Sequence, residues 1–265
     1  MRIDHAIQIG FPELPKMASQ AHFEVIKQWI TNCNENHKGF ACLPTPGHHG
    51  GSMAATIQLP TRVIEVGQQG DSKVYLRETA SGNVPPGEWL ALSHQWGPEP
   101  HFRTTRQTLS AHLQGLDFAT LPATFRDAVT VTRSLGYPYL WIDSLCIIQG
   151  DDGDFLQEAK RMEQVYSGAC CVLAISRTAG HTAGFLTPRK ERDYVTLQNG
   201  SQAPFYLCQP IDDFNRHVIT SDLSKRGWVL QEHALARRTV FYTDHQVYWE
   251  CGEGIRCETM MSIKK

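Results

Sequence analysis

The amino-acid sequence predicts an α/β fold in which a mostly parallel sheet is flanked by helices. Short apolar segments of strand length begin near residues 89, 139 and 170, and segments with helical spacing of apolar residues separate them. Strands that alternate with helices form parallel sheets, because each helix connects two strands by a right-handed crossover. In the predicted architecture an N-terminal extension precedes this sheet and a C-terminal β-hairpin follows it.

The N-terminal extension, residues 1–88, is predicted to contain one helix and one β-hairpin. Apolar residues recur at helical spacing over 21–29, which favours a short helix. The segments 62–66 and 73–77 alternate apolar with polar residues, as strands do. Between them, residues 67–72 have turn chemistry, so we expect the two strands to pair.

The first strand of the predicted sheet is Trp89–Ser93, an apolar segment that opens into a loop at His94. A helix is then predicted from Pro122 to Leu135, because proline suits the first turn of a helix and apolar residues follow at helical spacing. Gly136 is a typical residue to end that helix.

A second buried strand is predicted from residue 139, and it is expected to continue to residue 148 because the segment is largely apolar. Asp154 is a candidate N-cap for the next helix, whose buried stripe is predicted to run from Phe155 to Ala169. The third buried strand is predicted over 170–175. Further on, the sequence predicts a strand over 201–208 and a helix over 228–237.

The closing hairpin of the predicted fold pairs residues 240–242 with residues 247–250. Asp244 and His245 lie in the turn between these two apolar segments, where polar residues are common.

The composition predicts a soluble, cytoplasmic protein. The chain has 265 residues, with 25 Lys and Arg against 27 Asp and Glu, and a formal charge of −2 gives no electrostatic case for nucleic-acid binding. No apolar stretch approaches the ~20 residues of a membrane-spanning helix. The N-terminus lacks the apolar core of a signal peptide. The eight cysteines form no CxxC pair, and we expect most of them to be free thiols.

Polar side chains follow two of the predicted strands, at the edge where parallel sheets bind ligands. Ser93, His94 and Trp96 lie at the carboxyl end of the first strand, and Asp143 lies at the carboxyl end of the second. Such side chains hydrogen-bond a ribose or a phosphate, and an indole ring stacks on a planar base. We therefore predict ligand contacts at these four residues. The alternative is that Trp96 belongs to the core and that Asp143 caps a turn.

Glu158 is predicted to lie at the margin of the buried face of its helix. A carboxylate at such a margin is partly removed from water, which suits it to catalysis. Glu163 flanks the opposite margin. Because exposed glutamates are common on helices, position alone does not distinguish Glu158 from a surface residue.

A metal site is a further candidate. Cys33, His37 and Cys42 lie close together in the sequence, and Cys251 and Cys257 from the far end of the chain are candidates to complete a zinc site. The spacing differs from that of a standard zinc finger, so free thiols and a surface histidine are the alternative.

Cys146 is a weak candidate for a catalytic nucleophile. Its neighbours Leu145 and Ile147 are apolar, and apolar surroundings raise the pKa of a thiol and leave it unreactive.

Five sequence blocks together resemble the fungal heterokaryon incompatibility (HET) domain. They occur in the order of that family and cover roughly residues 89–240. The blocks are Leu92–Gly97 (LSHQWG), Leu121–Ala128 (LPATFRDA), Leu135–Gln149 (LGYPYLWIDSLCIIQ), Glu158–Ala169 (EAKRMEQVYSGA) and Arg226–Glu232 (RGWVLQE). The resemblance divides the chain into the extension, 1–88, and a HET domain, 89–265.

The resemblance implies an effector of fungal non-self recognition that triggers regulated cell death. It also implies a flavodoxin-like fold distantly similar to TIR domains, some of which cleave NAD at the nicotinamide–ribose bond. Those enzymes use a glutamate on the helix after a central strand, and Glu158 stands on the corresponding helix. The resemblance thus implies NAD as a substrate and nucleotide contacts at the Ser93–Gly97 loop. It implies self-association and other incompatibility proteins as partners.

Two other functions stay open at this point. One is a non-catalytic module that assembles through TIR-like surfaces, and the other is a HET-fold enzyme that acts on other small molecules. The glycine fingerprint GxGxxG is absent from the sequence, so redox use of NAD in a Rossmann site is not expected.

Overall fold

The computed structural model describes residues 13–37, 42, 58–177, 182–198, 200–201, 204–225, 227–260 and 262–263. The strands are β1 (Arg62–Glu65), β2 (Lys73–Glu78), β3 (Trp89–Ser93), β4 (Leu116–Asp117), β5 (Tyr139–Ile142), β6 (Cys171–Ile175), β7 (Tyr194–Leu197), β8 (Phe205–Cys208), β9 (Arg238–Tyr242), β10 (Val247–Cys251), β11 (Gly254–Cys257) and β12 (Ser262–Ile263). The helices are α1 (Gln20–Asn36), α2 (Leu109–Gln114), α3 (Ala123–Leu135), α4 (Asp143–Cys146), α5 (Phe155–Ala159), α6 (Met162–Gly168) and α7 (Gly227–Leu235).

Ten strands form one sheet in the order β12-β11-β10-β9-β6-β3-β5-β1-β2-β4. The four central strands, β9, β6, β3 and β5, are parallel to one another. The strands on either side pair antiparallel. The predicted α/β fold, with a largely parallel central sheet flanked by helices, is therefore confirmed.

The strand order places the helices on both faces of the sheet. The chain steps from β3 to β5 in one direction and returns from β5 to β6 in the other, so right-handed crossovers place α3 and α6 on opposite faces. The crossover from β6 to β9 follows the second direction, and α7 accordingly contacts α6. Helix α1 contacts α3 on the other face.

The helix and hairpin predicted for the extension are both present. Ser19 caps α1, because its Oγ accepts a hydrogen bond from the His22 N–H at 3.2 Å, and the helix continues well beyond the predicted span to Asn36. The β1–β2 hairpin joins the main sheet, since β1 pairs antiparallel with β5 through Ile64 and Leu140.

The strand predicted over 139–148 is wrong in its second half. Strand β5 ends at Ile142, and the chain turns into α4. The Asp143 carboxylate accepts a hydrogen bond from the Ser144 N–H at 2.7 Å. The backbone carbonyl of Asp143 accepts one from the Ile147 N–H at 3.1 Å. Ser144, Leu145 and Cys146 in this helical turn are buried, and a short apolar segment has the same composition in a buried helix as in a buried strand.

The single helix predicted after Asp154 is also wrong. Two short helices, α5 and α6, replace it, with a turn at Lys160 and Arg161 between them. Phe155, predicted to lie in the buried stripe, is 41% exposed, whereas Glu158 is only 5% exposed. The turn changes the helix direction, so no single periodicity describes which side chains of this segment are buried.

The C-terminal part largely follows the prediction. Strands β9 and β10 form the closing hairpin, and α7 spans most of the predicted helix. The strand predicted over 201–208 is β8, which pairs only with β7 among the described strands. None of the helices among the described residues is long and apolar enough to cross a membrane.

Candidate functional site

Polar residues near the carboxyl ends of β3 and β5 form two hydrogen-bonded pairs, one of them with a glutamate on α7. Ser93 donates a hydrogen bond from Oγ to Oε2 of Glu232 at 2.5 Å, and both side chains are buried. Trp96 donates from Nε1 to Oδ2 of Asp143 at 2.8 Å. A carboxylate thus accepts a hydrogen bond from each of Ser93 and Trp96.

The rings of His94 and Trp96 differ in their surroundings. His94 is buried and meets the ring of Phe125 on α3 edge to face, with centroids 5.2 Å apart. Trp96 is half-buried, and the ring of His101 lies against it at 5.3 Å. His94 therefore packs into the fold, while part of the Trp96 indole is open to solvent.

The carboxylate of Glu158 is held on one of its two oxygens. The Thr61 hydroxyl donates to Oε1 at 3.0 Å, and Nη1 of Arg161 donates to the same atom at 3.2 Å. Arg161 also donates to the Thr61 hydroxyl at 2.6 Å, which closes a triangle of polar groups. Neither contact uses Oε2, so the second oxygen is the one available to a ligand.

Glu158 lies in the wall of a pocket of about 810 Å³ between the segments that flank the β1–β2 hairpin and the α5–α6 segment. That volume falls in the range of ~300–1,000 Å³ that is usual for small-molecule sites. Other polar lining residues are Gln58, Thr61, Thr79, Arg161 and Gln164, and apolar ones include Leu59, Val84, Pro86 and Val165. The pocket therefore combines an anchored carboxylate with a cationic side chain and an apolar wall.

The Glu158 pocket is separate from Ser93, Trp96 and Asp143, the polar residues near the ends of β3 and β5. None of the described residues from 93–97 lines the pocket, and neither does Asp143. The structure thus brings Ser93 together with Glu232, and Trp96 together with Asp143, but it does not bring either pair to Glu158.

Four of the five predicted metal ligands converge. Cys33 on α1, His37 just after α1, Cys42 and Cys251 at the end of β10 each offer a ligand atom, and these atoms all lie within 4.8 Å of one another. The three cysteines are buried, and His37 is half-buried. A hydrogen bond from the Cys33 thiol lowers the pKa of Cys251, while the same hydrogen bond raises the pKa of Cys33 and burial raises that of Cys42.

Cys257, the fifth predicted ligand, lies elsewhere. Its Sγ is 3.2 Å from Oδ1 of Asp212 and 3.0 Å from the hydroxyl of Thr259, and it takes no part in the cluster. Cys146 lies in α4, where burial raises the pKa of its thiol to about 12. A thiol with so high a pKa is protonated at neutral pH and unreactive, as its apolar neighbours predict.

Several residues that contact these sites have no role predicted from the sequence. Glu232 is the last residue of the block RGWVLQE. Its place in that block is the sequence signal that indicates a buried polar contact. Thr61 lies 97 positions from Glu158 and has no local pattern that marks it. Arg161 follows Glu158 by three residues, which is contact spacing on a helix.

Comparison with known families gives one match. Residues 89–232 match the family model described as Heterokaryon incompatibility protein (HET). No curated protein and no solved structure matches the chain.

Proposed function

The chain belongs to the heterokaryon incompatibility (HET) family, and from this premise we propose that it is an effector of fungal non-self recognition that triggers regulated cell death. We propose that it does so by cleaving NAD to nicotinamide and ADP-ribose, with Glu158 as the catalytic carboxylate. The observation that carries the proposal is the buried Glu158 carboxylate in the wall of the pocket, held through Oε1 with Oε2 left to a ligand.

The proposed reaction breaks the bond between C1′ of the ribose and N1 of nicotinamide. The electron pair of that bond stays on nicotinamide, which leaves as a neutral molecule, and the ribose becomes an oxocarbenium-like cation. The negative charge of Glu158 stabilises that cation, as carboxylates do in glycoside cleavage. Water then adds to C1′ and releases one proton, which gives ADP-ribose.

The other residues of the pocket suit a dinucleotide. Arg161 is 57% exposed at its side chain and offers a cation to a pyrophosphate. Leu59, Val84 and Pro86 supply an apolar wall for a planar ring. The Thr61 hydroxyl donates to Glu158 and keeps the carboxylate aimed while a ribose hydroxyl donates to Oε2.

The test compares two isosteric variants for release of nicotinamide from NAD, over a range of protein concentrations that includes self-associated protein. Glu158→Gln keeps an oxygen for the Thr61 hydroxyl but removes the charge, so we expect at least a ~100-fold loss of rate, the size of a single electrostatic contribution. Glu163→Gln, on the exposed side of α6, is the matched control and should be unaffected.

Two results would overturn this assignment. NAD that stays intact with self-associated wild-type protein rejects the reaction. The second is nicotinamide release that survives Glu158→Gln but is lost in Glu232→Gln. That result would assign the reaction to the carboxyl ends of β3 and β5, where Ser93, His94, Trp96 and Asp143 are predicted to contact the nucleotide.

A second candidate function is a non-catalytic module that assembles with further copies of itself. The observation that favours it is the β7–β8 hairpin, whose large side chains are exposed, with Val195 60% and Phe205 67% exposed. Exposed apolar patches often mark interaction sites. Val195→Lys with Phe205→Lys should then abolish both self-association and cell death, while Glu158→Gln leaves both intact. Cell death that needs Glu158 but not the hairpin contradicts this function.

A further inference from the structure

We propose that Cys33, His37, Cys42 and Cys251 bind one zinc ion in a closed structural site that fastens helix α1 to the end of strand β10. The sequence placed these residues in two distant groups, and the fold brings them together. His37 and Cys251 are 214 positions apart in the chain, yet Nδ1 and Sγ lie 3.5 Å from each other.

Two sulfur–nitrogen distances in the cluster match those of a tetrahedral zinc site. Zinc lies about 2.3 Å from thiolate sulfur and about 2.0–2.1 Å from imidazole nitrogen, so a tetrahedron around it has sulfur–nitrogen edges of about 3.6 Å. The Nδ1 atom of His37 lies 3.7 Å from Sγ of Cys42 and 3.5 Å from Sγ of Cys251. A site of three sulfurs and one nitrogen in this arrangement favours zinc over magnesium, calcium or manganese, which prefer oxygen ligands.

Two backbone amides lie beside the sulfur atoms of the cluster. The backbone N–H of Gly252 donates to Sγ of Cys42, and that of Glu253 donates to Sγ of Cys251. Both amides belong to the turn between β10 and β11. Hydrogen bonds from such outer groups orient metal ligands.

The charge of the loaded site is also compensated. Three thiolates and one neutral imidazole around Zn²⁺ leave a net charge of −1. The guanidinium of Arg238 lies near Cys33 and donates to the Cys42 carbonyl at 3.3 Å. Arg237 donates to the same carbonyl at 3.3 Å. The positive charges of these two buried arginines would therefore be balanced in part by the negative charge of the metal site.

The site would be structural and independent of the Glu158 pocket. Four protein ligands complete the coordination of zinc and leave no position for a substrate. No described residue is shared between the cluster and the lining of the Glu158 pocket. The metal would cross-link α1 to the antiparallel strands beyond β9, which adds to the contact between the Trp29 and Trp249 rings at 6.4 Å.

The first test measures metal in the purified full chain, prepared with zinc supplied and without chelator. We expect one equivalent of zinc per chain. Replacement by Co²⁺ should give the intense absorption of a tetrahedral cobalt site together with thiolate-to-cobalt charge transfer. Less than about half an equivalent of zinc, without a cobalt–thiolate band, overturns the proposal. So does a disulfide between any two of the three cysteines.

The second test assigns the ligands. Cys251→Ser and His37→Ala should each lower the zinc content to below half an equivalent and weaken the charge-transfer band. Cys257→Ser and Cys208→Ser are the matched controls, because neither residue belongs to the cluster, and both should keep one equivalent. Should a ligand variant fail to fold, the cobalt spectrum of the wild-type chain decides alone. A full equivalent of zinc retained in Cys251→Ser or His37→Ala rejects the assignment.

Discussion

Ser93 and Glu232 stand 139 positions apart in the chain, and the Ser93 hydroxyl lies 2.5 Å from the Glu232 carboxylate. The bond joins the end of β3 to α7, inside the fold. The segment that matches the HET family model begins in the strand of Ser93 and ends at Glu232. A buried polar contact thus connects the first and last elements of the matched segment.

Removal of the Ser93 hydroxyl should destabilise the protein measurably. In Ser93→Ala the buried carboxylate of Glu232 loses one donor, and a hydrogen bond to a charged group contributes about 1.5–3 kcal/mol. We expect that decrease in the free energy of unfolding, measured by urea denaturation. Ser110→Ala, an exposed serine on α2, is the control and should change stability by less than about 0.5 kcal/mol. Equal effects of the two substitutions would contradict the structural role of the bond.

Asp127 on α3 should control the order of the segment around Phe185. Its Oδ2 accepts the backbone N–H groups of Phe185 at 2.5 Å and of Leu186 at 2.8 Å. Asp127→Ala removes two charge-assisted hydrogen bonds, and we expect a loss of about 2–4 kcal/mol in stability. Limited proteolysis should cut residues 182–198 faster in this variant. Asp127→Asn keeps an acceptor oxygen and should be intermediate, and unchanged proteolysis in both variants would exclude the role.

Acid should unfold the protein partly through Glu258. Burial raises the pKa of this carboxyl, but the hydrogen bond from His22 and the charge of Arg189 outweigh it, and the pKa is lowered from its ordinary 4.5. Glu258 therefore contributes stability that is complete above pH 4.5 and is lost as the pH falls through the lowered folded-state pKa.

The measurement for Glu258 is the urea midpoint as a function of pH. Below pH 4.5 the wild-type midpoint should fall more steeply than that of Glu258→Gln, which has no proton to take up. Glu163→Gln, at an exposed position, should follow the wild-type curve. Parallel acid limbs for the wild type and Glu258→Gln would show that Glu258 does not contribute.

The cysteines should differ sharply in reactivity. Seven of them are buried, and only Cys208 is half-buried. With iodoacetamide at pH 8, the native protein should be alkylated first at Cys208. Cys146, whose pKa burial raises to about 12, should react only after unfolding. Mass spectrometry of tryptic peptides gives the order, and early labelling of Cys146 would contradict its placement in α4.

Much of the fold follows from local patterns in the sequence. Trp89–Leu92 and Cys171–Ile175 are apolar, and the strands that contain them are buried on both faces of the sheet. Helix α3 begins after Pro122 and ends at Gly136, which has the left-handed φ of 86° that favours glycine. The sequence pattern does not distinguish the strand β5 from the helical turn α4, because both are short, largely apolar and largely buried.

The contacts of the candidate site depend on residues that no local pattern connects. Thr61 reaches Glu158 because β1 joins the sheet beside β5, and the sequence predicted only that β1 pairs with β2. The Cys33 cluster depends in the same way on where β10 lies relative to α1. Spacing along the chain suggests such partners, but only the strand order determines which of them meet.

The strand order also determines which part of the chain folds as a unit. Residues 89–232, the matched segment, contain β3, β5 and β6 but not β1 or β9, which pair with β5 and β6 in the sheet. A recombinant fragment cut at those limits would leave two apolar strand edges open to other molecules, and open edges promote aggregation. Expression therefore calls for boundaries that keep residues 62–78 and 238–257 attached. The residues that match the family model are therefore fewer than the residues that a non-aggregating recombinant protein needs.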